Sequence, residues 1–134
     1  MILGMDHIAI SVPNLQQAID RFVADLGLRL DGTEDVPTEQ TRTAFLPVGE
    51  TRIELISPMD GQGPVQAALD KRGAGLHHIC FRTDDIDADM RRLSAKGYRF
   101  LSDAPKPGAH GTRVLFIHPR SCGGVLIELA EHGA

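Results

Sequence analysis

The sequence lacks the features that mark membrane, disulfide-stabilised or nucleic-acid-binding proteins. No apolar run approaches the roughly 18 residues of a membrane span, and no charged segment followed by a long apolar stretch opens the chain. The only cysteines, Cys80 and Cys122, form neither a CxxC motif nor a disulfide framework. The formal net charge is −4, and Lys and Arg form no cluster. We therefore expect a cytoplasmic protein with reduced thiols that binds neither membranes nor nucleic acids.

The sequence does contain an internal repeat. DHIAI from Asp6 and HHICF from His77 each place a His at the opening of an apolar strand. TRIEL from Thr51 and VLIEL from Val125 each place a Glu inside a closing apolar strand. The two separations, from position 7 to 54 and from 78 to 128, are nearly equal. Repetition of this kind indicates two related halves in one chain.

The first half reads as one strand, one helix and three further strands. A strand over 7–12 stops at Pro13, and Asn14 is a suitable cap for a helix over 15–26 that Gly27 ends. Strands are predicted near 29–32, 41–48 and 51–56, with a hairpin turn at Gly49-Glu50.

The second half repeats this order. A strand over 78–83 leads to a cap at Asp84-Asp85 and a helix from 86 to Gly97, followed by strands near 98–101, 112–118 and 124–129. The predicted fold is α+β, with two tandem β-α-β-β-β modules forming a curved mixed sheet around a metal site. We expect a single domain over 1–134, with module one at about 5–58, a connector at about 59–74 containing a short helix, and module two at about 75–131.

The repeated His and Glu residues predict a divalent metal site. Imidazole and carboxylate ligands suit zinc, cobalt, manganese, iron or nickel. Neighbouring residues of a strand face opposite sides, so Glu54 and Glu128 point away from the apolar residues beside them. A Glu on such a face is costly to bury without a partner, and a cation is a natural one. The predicted ligands are His7, Glu54, His78 and Glu128.

Each of these residues alone has an ordinary explanation. A single His at a strand start is usually a surface or core residue, and a Glu between Ile and Leu usually lies on a solvated strand face. Their equivalent placement in both halves favours the metal site. His77 is the alternative to His78, but the match of the two motifs gives the ligand position to His78.

The sequence resembles the vicinal oxygen chelate superfamily, which also contains glyoxalase I and extradiol dioxygenases. Within it, the sequence resembles the methylmalonyl-CoA epimerase family over almost its whole length. The motifs are DHIAISVPNL from Asp6, GAGLHHIC from Gly73, GAHG from Gly108 and HPRSCGGVLIEL from His118. The first motif is general to the superfamily, and the last two are more specific to the epimerases.

This resemblance implies a metal-dependent isomerase that interconverts (R)- and (S)-methylmalonyl-CoA by proton exchange at C2 through a metal-stabilised enolate. The family's ligand positions fall on His7, Glu54, His78 and Glu128, with cobalt as the expected metal and manganese, nickel or zinc as alternatives. Proton exchange on two faces needs two acid/base groups. Glu39 is expected to serve one face and Glu128 the other, although ungapped counting places Thr38 at the position of the acidic residue.

The resemblance further implies an acyl-CoA substrate, a homodimer and a role in propionate metabolism. The glycine-containing turns at 108–111 and 121–124 would allow close approach of a ligand. Arg99, Lys106, Arg113 and Arg120 are candidates for contacts with carboxylate or phosphate groups. The alternatives are a glyoxalase or ring-cleaving dioxygenase of the same superfamily, and a non-catalytic module that binds a small molecule.

Overall fold

The computed structural model describes residues 1–133. It contains three α-helices and eight strands, in the order β1 Ile2–Ser11, α1 Leu15–Asp20, β2 Gly32–Val36, β3 Thr41–Val48, β4 Thr51–Pro58, α2 Pro64–Arg72, β5 Gly75–Thr83, α3 Ile86–Ala95, β6 Lys106–Pro107, β7 Arg113–Ile117 and β8 Ile127–Glu131. The order β-α-β-β-β therefore occurs twice, and the prediction of an α+β fold built from two such modules is confirmed. None of the helices described here is long and apolar enough to cross a bilayer.

The chain divides into two compact units, which we call the first unit, His7–His77, and the second unit, Met1–Asp6 together with the chain from His78 onward. In the first unit the strand order is β2-β3-β4-β1, with β4 parallel to β1 and antiparallel to β3. One face of these strands packs on α1 through a cluster that contains Val12, Leu46 and Leu55. The opposite face meets α2, where Ala9 and Ile56 pack with Val65.

The second unit repeats this arrangement with the strand order β5-β8-β7-β6. β8 is parallel to β5 and antiparallel to β7. Ile86 of α3 packs with Leu115, Ile117 and Leu129, and this cluster forms the apolar core between the helix and the strands. A smaller cluster of Cys80, Val114 and Ala130 lies elsewhere in the same unit.

Both predicted helix caps are present. The Asn14 side chain accepts a hydrogen bond from the backbone N–H of Gln17 at 2.9 Å, and Asp85 does the same for Ala88 at 3.0 Å. These bonds satisfy backbone donors that the first turn of a helix leaves open. The first helix then continues as a π-helical turn over Arg21–Asp25.

The structure differs from the prediction at two strands. The strand expected near 29–32 forms at Gly32–Val36, because its register with β3 pairs Gly32 with Phe45 and Val36 with Thr41. The strand expected near 98–101 does not form among the described residues. Phe100 contributes a single bridge to Ile117, and the paired segment is Lys106–Pro107.

Asp89 is a buried carboxylate in the second unit, with 2% of its side chain exposed. It accepts hydrogen bonds from the Thr83 hydroxyl, from the N-terminal ammonium at 3.2 Å and from Arg92 at 3.3 Å. Burial alone would raise the pKa of Asp89, but these donors together lower it below its ordinary value. The charged form of Asp89 is therefore the form that the folded protein favours.

Candidate functional site

The first unit holds a buried pair of His7 and Glu54. His7 lies on β1 and Glu54 on β4, and the parallel register places Glu54 opposite Ala9, two residues after His7. The His7 Nδ1 atom is 3.1 Å from the Glu54 Oε2 atom, and both side chains are less than 8% exposed. Two of the predicted ligands therefore meet at one point of this unit.

The second unit holds the equivalent pair of His78 and Glu128. The β5–β8 register places Glu128 opposite Cys80, again two residues after the His. The His78 Nε2 atom is 3.0 Å from the Glu128 Oε1 atom, and both side chains are buried. The repeat seen in the sequence is thus also a repeat of strand register and of side-chain contact.

Each Glu faces away from the helix, α1 or α3, that packs on its apolar neighbours. Ile53 and Leu55, the neighbours of Glu54, belong to the cluster that packs on α1. Ile127 and Leu129, the neighbours of Glu128, belong to the cluster that packs on α3. Strand alternation then places both carboxylates on the opposite face of their own unit, as the sequence predicts.

The spacing within each pair fits two ligands of one metal ion. Imidazole nitrogens and carboxylate oxygens bind divalent transition metals at about 2.1 Å. Two such donors at a right angle from the ion are about 3.0 Å apart. The nitrogen–oxygen distances of 3.1 Å and 3.0 Å match this spacing. The donor types and their separation therefore suit a divalent metal.

Arg52 is a site residue that the sequence analysis missed. Its Nε and Nη2 atoms donate to the Glu54 Oε2 atom at 2.8 Å and 2.7 Å. The guanidinium also lies over the Phe45 ring, 5.6 Å from its centroid. The sequence does contain a signal for this contact. Arg52 and Glu54 are two residues apart on a predicted strand, and such residues share a face.

An aromatic ring stands opposite each Glu, and these rings were also missed. Phe45 on β3 pairs with Glu54, and Phe116 on β7 pairs with Glu128. The Phe116 ring meets His78 edge to face, with ring centroids 5.0 Å apart. Such contacts restrict the orientation of the imidazole. Because the two intervening loops differ in length, the sequence alone does not align the two aromatic positions.

A further carboxylate–imidazole pair, of which only the carboxylate is buried, joins the ends of the second unit. Asp6 Oδ2 lies 2.5 Å from His132 Nε2, and the Asp6 side chain is 4% exposed. Nothing in the sequence pattern predicts this contact, since the two residues are separated by almost the whole chain. His77, the alternative to His78, is half-buried.

Glu39 lies on a tight turn in the first unit. It ends the 3₁₀ turn Pro37–Glu39 between β2 and β3, and its side chain is half-buried. The Thr41 hydroxyl donates to the Glu39 carbonyl at 2.7 Å. Thr38, the other candidate in this loop, is exposed.

The two loops predicted to contact the ligand are tight turns. Arg113, one of the candidate ligand-binding cations, forms an ion pair with Asp87. His110 adopts the left-handed conformation with φ of 56°, which non-glycine residues rarely adopt. Arg113 makes a two-pronged contact with Asp87 at 2.8 Å and 3.1 Å. This contact lowers the pKa of Asp87 and makes Arg113 a structural residue between α3 and β7.

Comparisons with known proteins agree on the family. The model of the glyoxalase/bleomycin resistance protein/dioxygenase superfamily matches residues 6–116. The chain is 39% identical to ethylmalonyl-CoA/methylmalonyl-CoA epimerase of Cereibacter sphaeroides, covering 98% of this chain and 99% of that protein. It is 38% identical to mitochondrial methylmalonyl-CoA epimerase of Mus musculus, covering 95% of this chain and 72% of that protein.

A solved structure gives the same assignment. A variant of Streptomyces coelicolor methylmalonyl-CoA epimerase in complex with 2-nitronate-propionyl-CoA superimposes with a TM-score of 0.95 at 34% identity. The match covers 100% of this chain and 97% of that chain. The chain therefore belongs to the glyoxalase/bleomycin resistance protein/dioxygenase superfamily and, within it, to the methylmalonyl-CoA epimerase family of isomerases.

Proposed function

We propose that this protein interconverts (R)- and (S)-methylmalonyl-CoA by exchanging the proton at C2. The observation that carries this proposal is the repeated buried His–Glu pair, with the same register and nearly the same nitrogen–oxygen distance in each unit. The names of the relatives from Cereibacter sphaeroides and Mus musculus support the substrate class.

We further propose that His7, Glu54, His78 and Glu128 together hold one divalent metal ion, with cobalt as the expected metal. When bound, the ion would supply a Lewis acid beside the thioester oxygen, where negative charge develops as C2 loses its proton. Imidazole nitrogens and carboxyl oxygens are donor types that suit such an ion. Arg52 then offsets part of the negative charge of Glu54.

The chain's own carboxylates carry the proton. In the proposed reaction, the Glu39 carboxylate takes the C2 proton from one face of the substrate, leaving a planar carbon. Glu128 enters this direction of the reaction in its carboxylic acid form, delivers that proton to the other face and becomes a carboxylate, and the reverse reaction exchanges the two roles. Exchange with water resets both groups. The half-buried position of Glu39 on a tight turn suits this role, since a general base must be held within reach of one carbon atom.

The solved complex supports an intermediate with a planar C2. A nitronate has a planar carbon with its negative charge on oxygen, so 2-nitronate-propionyl-CoA has the shape and charge of the species that loss of the C2 proton would form. The Streptomyces coelicolor variant whose structure contains this compound is close to the present chain in fold. We propose the same planar species for this protein.

The test is deuterium incorporation at C2 of methylmalonyl-CoA in deuterium oxide, followed by NMR or mass spectrometry. We expect exchange by the metal-loaded protein, loss of at least about 100-fold in Glu39→Gln, and no change in Glu50→Gln. Glu50 is a matched control because it is an exposed carboxylate in the β3–β4 hairpin turn. Undiminished exchange in Glu39→Gln would remove that residue from the mechanism.

Two parallel assays separate this proposal from the other activities of the superfamily. The same preparation is incubated with methylglyoxal and glutathione, and with catechol. We expect turnover of neither. Turnover of either compound without C2 exchange would replace the proposal with a glyoxalase or dioxygenase function. Ethylmalonyl-CoA is measured in the same exchange assay, because one added methylene is worth about 10-fold to 200-fold in specificity.

We also propose a homodimer, on the family resemblance alone. Light scattering coupled to size-exclusion chromatography should give twice the mass of one chain.

A further inference from the structure

The turn that carries Glu39 is closed by its own backbone. The Gln40 N–H donates to the Pro37 carbonyl at 3.1 Å, and the Thr41 hydroxyl donates to the Glu39 carbonyl at 2.7 Å. Gln40 is left-handed, with φ of 51° and ψ of 45°. A residue other than glycine keeps this conformation only where its surroundings impose it. The turn therefore depends on contacts from outside itself.

Those contacts come from the segment Met59–Gly63, which we call the clasp. The Met59 N–H donates to the Gln40 carbonyl at 2.8 Å. The Gln40 side-chain amide donates to the Gln62 side-chain oxygen at 3.4 Å. The clasp is itself a tight turn, in which Met59 and Gln62 form a bridge and Gly61 has a positive φ of 66°.

Gly63 also lies close to the turn, in a place with no room for a side chain. A Cβ atom at position 63 would lie 2.8 Å from the Gln40 Cβ, 3.1 Å from the Gln40 Oε1 and 3.3 Å from the Glu39 carbonyl oxygen. The Gln40 Cβ is fixed to its backbone and cannot rotate away. Ordinary van der Waals contacts begin at 3.4 Å, so the two backbones would have to separate by about 0.6 Å. The absence of a side chain at Gly63 therefore sets how close the clasp and the turn can lie.

We propose that Gly63 is a positioning residue for Glu39: by allowing the clasp to lie directly on Gln40, it fixes the turn from which Glu39 reaches C2. This inference rests on the proposed function, because it acts through the role of Glu39 as a base. A displacement of a general base by about 1 Å from its productive position can cost about 100-fold in rate. A shift of about half that size should therefore reduce kcat measurably while leaving acyl-CoA binding intact.

The experiment compares Gly63→Ala with Gly61→Ala in the metal-loaded protein. Both positions have a positive φ, 95° and 66°, and Gly63 with ψ of −174° also lies in a region that only glycine adopts readily, so Gly63→Ala strains its backbone as well. A Cβ at position 61 meets nothing within 4 Å, which makes Gly61→Ala the control for an alanine at positive φ without a clash. We expect kcat for C2 exchange to fall by about 10-fold to 100-fold in Gly63→Ala relative to Gly61→Ala, with KM changed by less than about threefold. Equal kcat values in the two folded variants would overturn the proposal.

A second-site variant keeps the test decisive if Gly63→Ala folds poorly. Gln40→Gly removes the Cβ atom that lies 2.8 Å from the added one, and glycine readily adopts the left-handed conformation of position 40. We expect Gln40→Gly/Gly63→Ala to fold and to match Gln40→Gly in kcat. A folded double variant that is about 10-fold slower than Gln40→Gly would contradict a steric route through Gln40.

A readout without catalysis separates this inference from the proposed function. The carboxyl carbon of Glu39, observed by NMR, should shift in Gly63→Ala and stay unchanged in Gly61→Ala, whichever substrate the protein uses. A wild-type protein without C2 exchange would refute the proposed function. An unchanged Glu39 signal in Gly63→Ala would refute the positioning role of Gly63 and leave the proposed function untouched.

Discussion

Replacing Arg52 by Met tests how the first unit accommodates the buried Glu54 carboxylate. Arg52 donates two hydrogen bonds to the Oε2 atom of Glu54, the same atom that faces the His7 ring. The substitution keeps most of the apolar stem but removes the charge and two hydrogen bonds. The Glu54 carboxylate, 7% exposed, would then be left buried beside His7.

The expected loss of stability lies between two limits. An exposed ion pair contributes about 0.2–1 kcal/mol, whereas breaking a fully buried pair costs about 3–5 kcal/mol. Glu54 is buried and Arg52 is 21% exposed, so the pair lies between these classes. We expect Arg52→Met to lower the free energy of unfolding by about 2 kcal/mol. At about 2.1 cal/mol/K of unfolding entropy per residue, this corresponds to a fall in Tm of about 7 °C for 134 residues.

A double-mutant cycle in metal-free buffer isolates the interaction. Urea unfolding is measured for Arg52→Met, Glu54→Gln and the double variant, which buries no unpaired charge. We expect the double variant to be more stable than the sum of the single changes by about 1.5 kcal/mol. Arg42→Met is the control, because Arg42 forms an exposed pair with Asp35 at 3.4 Å and should change stability by less than about 0.5 kcal/mol. A coupling energy below about 0.5 kcal/mol would refute the reasoning.

Two further predictions concern the second unit. Asp89→Asn should cost about 2 kcal/mol, because the buried carboxylate accepts charge-assisted hydrogen bonds that an amide cannot reproduce. Since the folded-state pKa of Asp89 is depressed, its contribution is present above the ordinary pKa of 3.8 and is lost as the pH falls through the lower folded value. Urea titrations between pH 6 and pH 2 should therefore show a smaller acid-induced loss of stability in Asp89→Asn than in the wild type; equal losses would exclude this linkage. Gly108→Ala should lower the free energy of unfolding by about 1–3 kcal/mol, because the added Cβ would lie 2.6 Å from a methyl of Val114. Gly4→Ala is the control, because a Cβ there meets nothing within 4 Å and should leave thermal unfolding nearly unchanged.

The strands with strong local patterns could be predicted from sequence. The bounds predicted for β3 agree with the structure, and the Gly49-Glu50 turn joins it to β4. The same alternation of apolar and polar residues predicted the faces of Glu54 and Glu128, which point away from α1 and α3 respectively. These features depend on the side chains of a single segment, so one sequence carries enough information for them.

The features that the sequence analysis misplaced or missed depend on contacts between residues that are distant in sequence. β2 consists of the polar residues GTEDV, and its position is fixed by pairing with β3 rather than by its own composition. The missed contacts at the site also join residues that are distant in sequence. Phe45 stands opposite Glu54 only because of the β3–β4 register, and the clasp meets Gln40 although the whole β3–β4 hairpin separates them in sequence. Single-sequence patterns contain no direct record of such contacts.

Titration of the metal-free protein with Co²⁺, followed by calorimetry and by the visible absorption of the ion, tests the central claim most directly. The claim is the proposal that His7, Glu54, His78 and Glu128 hold one divalent metal ion. The account predicts one tightly bound ion per chain, and tight binding lost in both His7→Ala and His78→Ala. Two ions per chain, or tight binding that survives either substitution, would contradict it.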